Sequence, residues 1–193
     1  MNLGPLKAGY DVMLGNGQGA NDVSDNNKRK CFIAALHCKP YEGLRLGLSY
    51  YNDEISADTM ASHHGGTLNP YGLKVKQQLS SASVVYMGKH VEWISEATLA
   101  MNHTDSLGTS HTHAAYAYAG YRMHEKWVPY VRYDVLNYDK KELFYKKGNM
   151  KSFLVGLRHQ INYQSVIKLE YEWDNATLTG KTHKVSAQFA VGF

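Results

Sequence analysis

The chain has 193 residues, enough for one closed core or two small ones, and a net charge of +4. Its basic residues lie among acidic ones and only Lys28-Arg29-Lys30 forms a run, so the clustered basic surface of a nucleic-acid binder is excluded. Mean hydropathy is negative and no apolar run approaches the roughly 18 residues of a membrane-crossing helix; that excludes helical spans but not strands.

From the N-terminus, LKAGYDVML puts Leu6, Ala8, Tyr10, Val12 and Leu14 on one face of a strand, opposite Lys7 and Asp11. A polar, Gly- and Asn-rich loop follows, then a second strand, KCFIAALHC. Its two cysteines, Cys31 and Cys38, would stand about 23 Å apart on extended backbone, beyond disulfide reach, and two cysteines do not make a zinc site. Two free thiols are expected. After the tight KPYEG, LRLGLSYY alternates Leu44, Leu46, Leu48 and Tyr50 against Arg45, Gly47 and Ser49.

A long loop from about 53 to 70 leads to LKVKQQLSSASVVYM. A short turn at Gly88-Lys89 opens VEWISEATLAM, with Val91, Trp93, Ala97, Leu99 and Met101 opposite Glu92, Glu96, Thr98 and Asn102. HTDSLGTSHT reads as a long loop, followed by AAYAYAGYRM, the brief HEK, and WVPYVRYDVL. The loop DKKELFYKKGN precedes KSFLVGLRHQI, and a turn at 162–164 precedes VIKLEYEW. The last strand, HKVSAQFAVGF, ends on its own apolar register at Phe193.

The chain therefore reads as ten strands of roughly nine to twelve residues. Long and short connections alternate, and all five long ones follow odd-numbered strands. Fifteen Tyr against five Phe and three Trp, with 17 Gly and only four Pro, suit β-structure at an apolar–aqueous boundary. The N-terminus lacks the basic and then apolar segments of a secretory signal.

Strands of this length, one-sided long loops and aromatics near strand ends (Tyr50, Trp93, Tyr121, Trp127, Trp173 and Phe193) predict an inverted barrel with its apolar face outward. The expected fold class is all-β: an antiparallel up-and-down transmembrane β-barrel, as one domain over residues 1–193. The polar face would line the lumen with Arg45, Arg122, Arg132, Arg158 and Lys168, opposed by Glu92, Glu96, Asp134, Glu170 and Glu172. These charges either set ion preference in an open pore or satisfy one another inside a filled barrel.

His103, Asp105, His111 and His113 invite a metal or rim-catalytic reading, as in a ten-strand omptin-like protease, but their spacing fixes no Asp–His pair. No P-loop, G-x-S-x-G or H-E-x-x-H motif is present, and no cofactor, metal site or enzymatic activity is expected.

Several segments resemble porins of the phosphate-selective O and P type. They are AGYDVMLGNGQGANDVSDNNKRKCFIAAL, KPYEGLRLGLSYYNDEIS, YAGYRMHEKWVPYVRYDVLNYD, SFLVGLRHQINYQSVIKLEYEWDN and the terminal AQFAVGF. The resemblance implies an outer-membrane channel for passive diffusion of small hydrophilic solutes or anions, assembled as a homotrimer. It also implies a larger barrel, of about 16 to 18 strands, of which this chain is the C-terminal portion. Expected partners are outer-membrane lipid, lipopolysaccharide and the barrel-assembly machinery, which would read Phe193 as an assembly signal. The alternative is a ten-strand barrel with a plugged lumen, acting as an omptin-like enzyme or an adhesion protein.

Overall fold

Ten strands form one sheet in the computed structural model, which describes residues 7–16, 29–55, 74–142 and 148–192; no helix occurs among them. The strands are β1 (Lys7–Asn16), β2 (Lys30–Lys39), β3 (Leu44–Ile55), β4 (Val75–Met87), β5 (Val91–Thr104), β6 (Gly108–Tyr121), β7 (Trp127–Tyr138), β8 (Met150–Gln160), β9 (Ser165–Ala176) and β10 (Gly180–Val191). Each pairs antiparallel with its sequence neighbour, so spatial order repeats chain order. This is the all-β, up-and-down arrangement that period-two alternation predicts.

One feature differs from the sequence-based expectation, and a second concerns closure, which the sequence leaves open. First, only three connections at the expected long-loop end are long: 17–29, 56–74 and 139–149. The other two, 105–107 and 177–179, are three-residue hairpin turns. HTDSLGTSHT reads as a loop because its polar residues show no apolar face, yet the ladder continues through Met101↔His111, Asn102↔Ser110 and His103↔Thr109. Leu107 N–H donates to Thr104 Oγ1 at 3.2 Å, and Gly108 closes the turn at φ +76°. Gly180 does the same at φ +74°, and a three-residue hairpin takes glycine at this left-handed position.

Second, each strand pairs only with its sequence neighbours, and β1 and β10 do not meet among the described residues. Among the described residues the sheet is open, with β1 and β10 at its edges. Tyr10 and Leu14 of β1 are 75% and 72% exposed, and Val185 of β10 is 69% exposed.

At the opposite end the turns 40–43, 88–90, 122–126 and 161–164 are all short. In the β6–β7 turn two non-glycine residues, His124 (φ 48°) and Glu125 (φ 63°), are left-handed. A tight hairpin demands that geometry, and it costs an L-residue about 1 kcal/mol or more.

Candidate functional site: a polar inner wall and a tilted apolar belt

Register assigns every strand residue to one of two faces. Glu92 lies level with Gly120, Tyr130, Gly156, Glu170 and Ser186 across β5 to β10. Arg158 of β8 donates Nη2 to Glu92 Oε1 of β5 at 2.7 Å, reaching over β6 and β7. Three strand spacings are about 14 Å on a flat sheet, so contact across them marks this polar face as the concave one. Burial agrees: Glu92 and Ser152 are each 1% exposed, whereas Leu48, Trp93 and Leu169 on the other face are 59%, 41% and 56% exposed.

Glu92 is the centre of the inner wall. Its carboxylate accepts from Arg122 Nη2 at 2.7 Å, from Arg158 Nη2 at 2.7 and 3.0 Å, and from the Tyr118 hydroxyl at 3.1 Å. Tyr130 lies across Gly156, where only a residue without Cβ leaves room for the ring, and its hydroxyl donates to Glu170 of β9. Ser186 Oγ donates to the other Glu170 oxygen at 3.1 Å. Glu172 accepts from Ser152 Oγ at 2.7 Å and faces Lys184 Nζ at 3.6 Å. Arg132 grips Asp134 through Nε and Nη2 and lies 4.6 Å over the Tyr116 ring.

Nine of the ten lumen residues predicted from sequence thus fall on the concave register, and Arg122, in the turn after β6, meets the same face through its bond to Glu92. Seven of them join hydrogen-bonded clusters. Arg45, Glu96 and Lys168 have no hydrogen-bond or ion-pair partner among the described residues. Arg45 lines a cavity of about 890 Å³ with Lys7, Lys39 and Glu42, at the short-turn end of β1 to β4. Phe193 lies outside the described residues.

A second inner cluster is not visible in the sequence. Glu142, fully buried beyond β7, accepts from Asn102 Nδ2 at 3.1 Å, Ser110 Oγ at 2.7 Å and Thr112 Oγ1 at 3.3 Å. Gln77 Nε2 donates to Asn102 Oδ1 at 3.1 Å and carries the network to β4. The inward register of Asn102, Ser110 and Thr112 is a signal of a polar layer, but nothing in DKKELFYKKGN marks Glu142 as its acceptor. In the turn that precedes it, the Lys141 amide donates to Asp139 Oδ1 at 3.0 Å and holds that carboxyl below the usual aspartate range.

His103, His111 and His113 stand on the opposite, outward register, and His103 Nε2 lies 3.9 Å from Asp105. No group of three His, Cys, Asp or Glu side chains converges on a metal position among the described residues. Cys31 and Cys38 are both free, the first on the concave register and the second on the convex one.

The convex face carries an apolar belt that does not follow the hydrogen-bonded rows. One row runs Tyr10, Leu36, Leu48, Ala82, Ala97, Ala115, Val135, Lys151, Asn175, Lys181. It starts apolar and ends between lysines. The polar border at the long-loop end lies three outward positions above this row on β1, at Asn16, and one below it on β10, at His183. That drop of about eight residues over nine strand intervals, at about 3.3 Å per residue and 4.8 Å per strand, tilts the strands about 30° from the belt normal. On β7 the belt runs from Trp127 to Val135, about 23 Å tall after correction for tilt. Trp127 stacks on His159 with ring centroids 3.8 Å apart, and Trp173 packs on Phe153 and Tyr171 at 5.7 and 4.5 Å.

A scan of protein-family models and a search of curated proteins both found no match for the chain.

Proposed function

We propose that this sheet is an arc of the wall of an outer-membrane channel, passing small hydrophilic solutes by passive diffusion through the space its concave face lines. One observation carries the reading: arginines and acids such as Arg158, Glu92 and Glu170 turn inward and are held by hydrogen bonds, while tryptophan, leucine and valine stand exposed outward. A belt tilted about 30° and about 23 Å tall suits strands crossing a hydrocarbon layer, where tilts near 40° and bands near 25 Å are usual.

Backbone groups at a free strand edge have no partner in hydrocarbon. The exposed edges of β1 and β10 therefore favour closure by further strands, as the resemblance to phosphate-selective O and P porins implies, and the trimeric assembly of that family comes with the same reading. The short turns would face the periplasm and the long connections the exterior. Phe193 would serve the barrel-assembly machinery as the end of the last strand.

Acids and bases are nearly balanced on the concave face, which favours neutral and weakly charged solutes over strong ion selection. Planar-bilayer recording of the refolded chain, in which the edges of β1 and β10 can close against further copies, tests the proposal: stepwise open-channel current with a reversal potential near zero in a salt gradient is expected. Refolded protein that inserts and carries no current refutes it. The cross-wall bonds from Glu92 to Arg158 and from Tyr130 to Glu170 favour the second reading, a plugged barrel, and the same silent insertion would establish it.

A further inference from the structure

The outward face carries a second feature besides its apolar belt. Along the convex register of all ten strands, the described residues include four lysines, Lys30, Lys76, Lys151 and Lys181, and one acid. That acid, Glu54, is already held by Lys74 at 2.8 Å and Arg29 at 3.5 Å. All four lysines are exposed, and all lie at or just above the long-loop border of the apolar belt. They follow its diagonal rather than a hydrogen-bonded row: Lys30 is level with Asn16, while Lys151 and Lys181 are level with Tyr10. At the short-turn end the same register carries neither lysine nor acid among the described residues, ending in the pairs Ala8–Cys38, Leu44–Tyr86 and Val91–Tyr121.

The densest part of this border is the row Lys151–Asn175–Lys181 on β8, β9 and β10. Lysines two strands apart stand about 10 Å from each other, with the Asn175 amide between them. Directly below on the same face are Phe153, Trp173 and His183, where the belt begins.

We infer that Lys151, Asn175 and Lys181 form an outward-facing site for the phosphate of an anionic lipid headgroup, at the long-loop border of the apolar belt. Two ammonium groups flanking an amide donor in one row are spaced to receive a tetrahedral anion between them, with the rings beneath at the level of the lipid's acyl region. A lipid phosphate fits better than a free one because the site opens sideways onto the belt, not into the cavity. The inference rests on the belt reading, and its test separates the two.

The chain is bound to phosphatidylcholine vesicles and to vesicles in which one third of the lipid is phosphatidylglycerol. Each lysine near an anionic surface favours binding about fivefold, so Lys151→Gln with Lys181→Gln should lower the preference for anionic vesicles about 25-fold. Affinity for phosphatidylcholine should stay unchanged, Lys151→Arg with Lys181→Arg should keep the preference, and excess inorganic phosphate at constant ionic strength should not compete. An unchanged preference in the glutamine variant overturns the inference, as does equal loss on both vesicles or competition by inorganic phosphate. Failure of the unaltered chain to bind phosphatidylcholine refutes instead the belt reading beneath it.

Discussion

Replacing Glu92 by Gln tests whether the concave face is a built electrostatic structure. The substitution keeps side-chain volume and leaves an oxygen for the Tyr118 hydroxyl, but removes the charge that Arg122 and Arg158 share. A hydrogen bond to a charged group contributes about 1.5 to 3 kcal/mol. Two are lost, but Arg122 and Arg158 remain 39% and 27% exposed at the side chain and recover water on release. Halving the sum for that rehydration leaves about 1.5 to 3 kcal/mol. Equilibrium urea unfolding in detergent micelles reads the loss by tryptophan fluorescence, with Trp93 adjacent in sequence to the substituted position. A double-mutant cycle with Arg158→Met isolates the cross-wall bond. Coupling above about 1 kcal/mol is expected; additivity within about 0.5 kcal/mol refutes a bond that bridges three strand intervals.

Four further outcomes are expected. Gly156→Ala sets a methyl group into the Tyr130 ring, so it should break the bond to Glu170 and cost about 1 to 3 kcal/mol in the same unfolding assay. Glu125→Gly relieves left-handed strain and should stabilise by about 0.5 to 1 kcal/mol; a loss of stability would refute the strain. Cys38 lies within the belt beside Leu46, so insertion into vesicles should abolish its labelling by a charged, water-soluble maleimide; undiminished labelling contradicts an outward apolar belt. The Asp139 carboxyl, depressed by the Lys141 amide, stabilises its turn above the ordinary aspartate value near 3.9. That contribution is lost as pH falls through the folded value, so an NMR titration should place the carboxyl below about 3.9, and a midpoint above it refutes the hydrogen bond.

The strands were legible wherever one face was apolar, because alternation then fixes both strand and side. Leu44, Leu46 and Leu48 set β3, and Ile167, Leu169 and Tyr171 set β9, with their charged neighbours turned inward as read. Legibility ended where that contrast ended. From His103 to His113 both faces are polar, so the outer halves of β5 and β6 look like loop although their ladder is unbroken. Glu142 escaped for a related reason: its burial depends on Asn102, Ser110 and Thr112 meeting it from distant sequence, and no local pattern encodes that. The open edges were invisible too, since alternation identifies a strand without saying what lies beside it.

Neighbour-only pairing also governs how such a wall is made. Every ladder among the described residues joins segments adjacent in sequence, so no pairing requires a distant segment to search for its partner. Contact order is low for a β-protein, which favours fast, stepwise assembly. Each hairpin that docks exposes a fresh row of amides and carbonyls, and that row templates the next strand. Growth proceeds by relay, one edge at a time, with β1 and β10 as the two points from which it can continue.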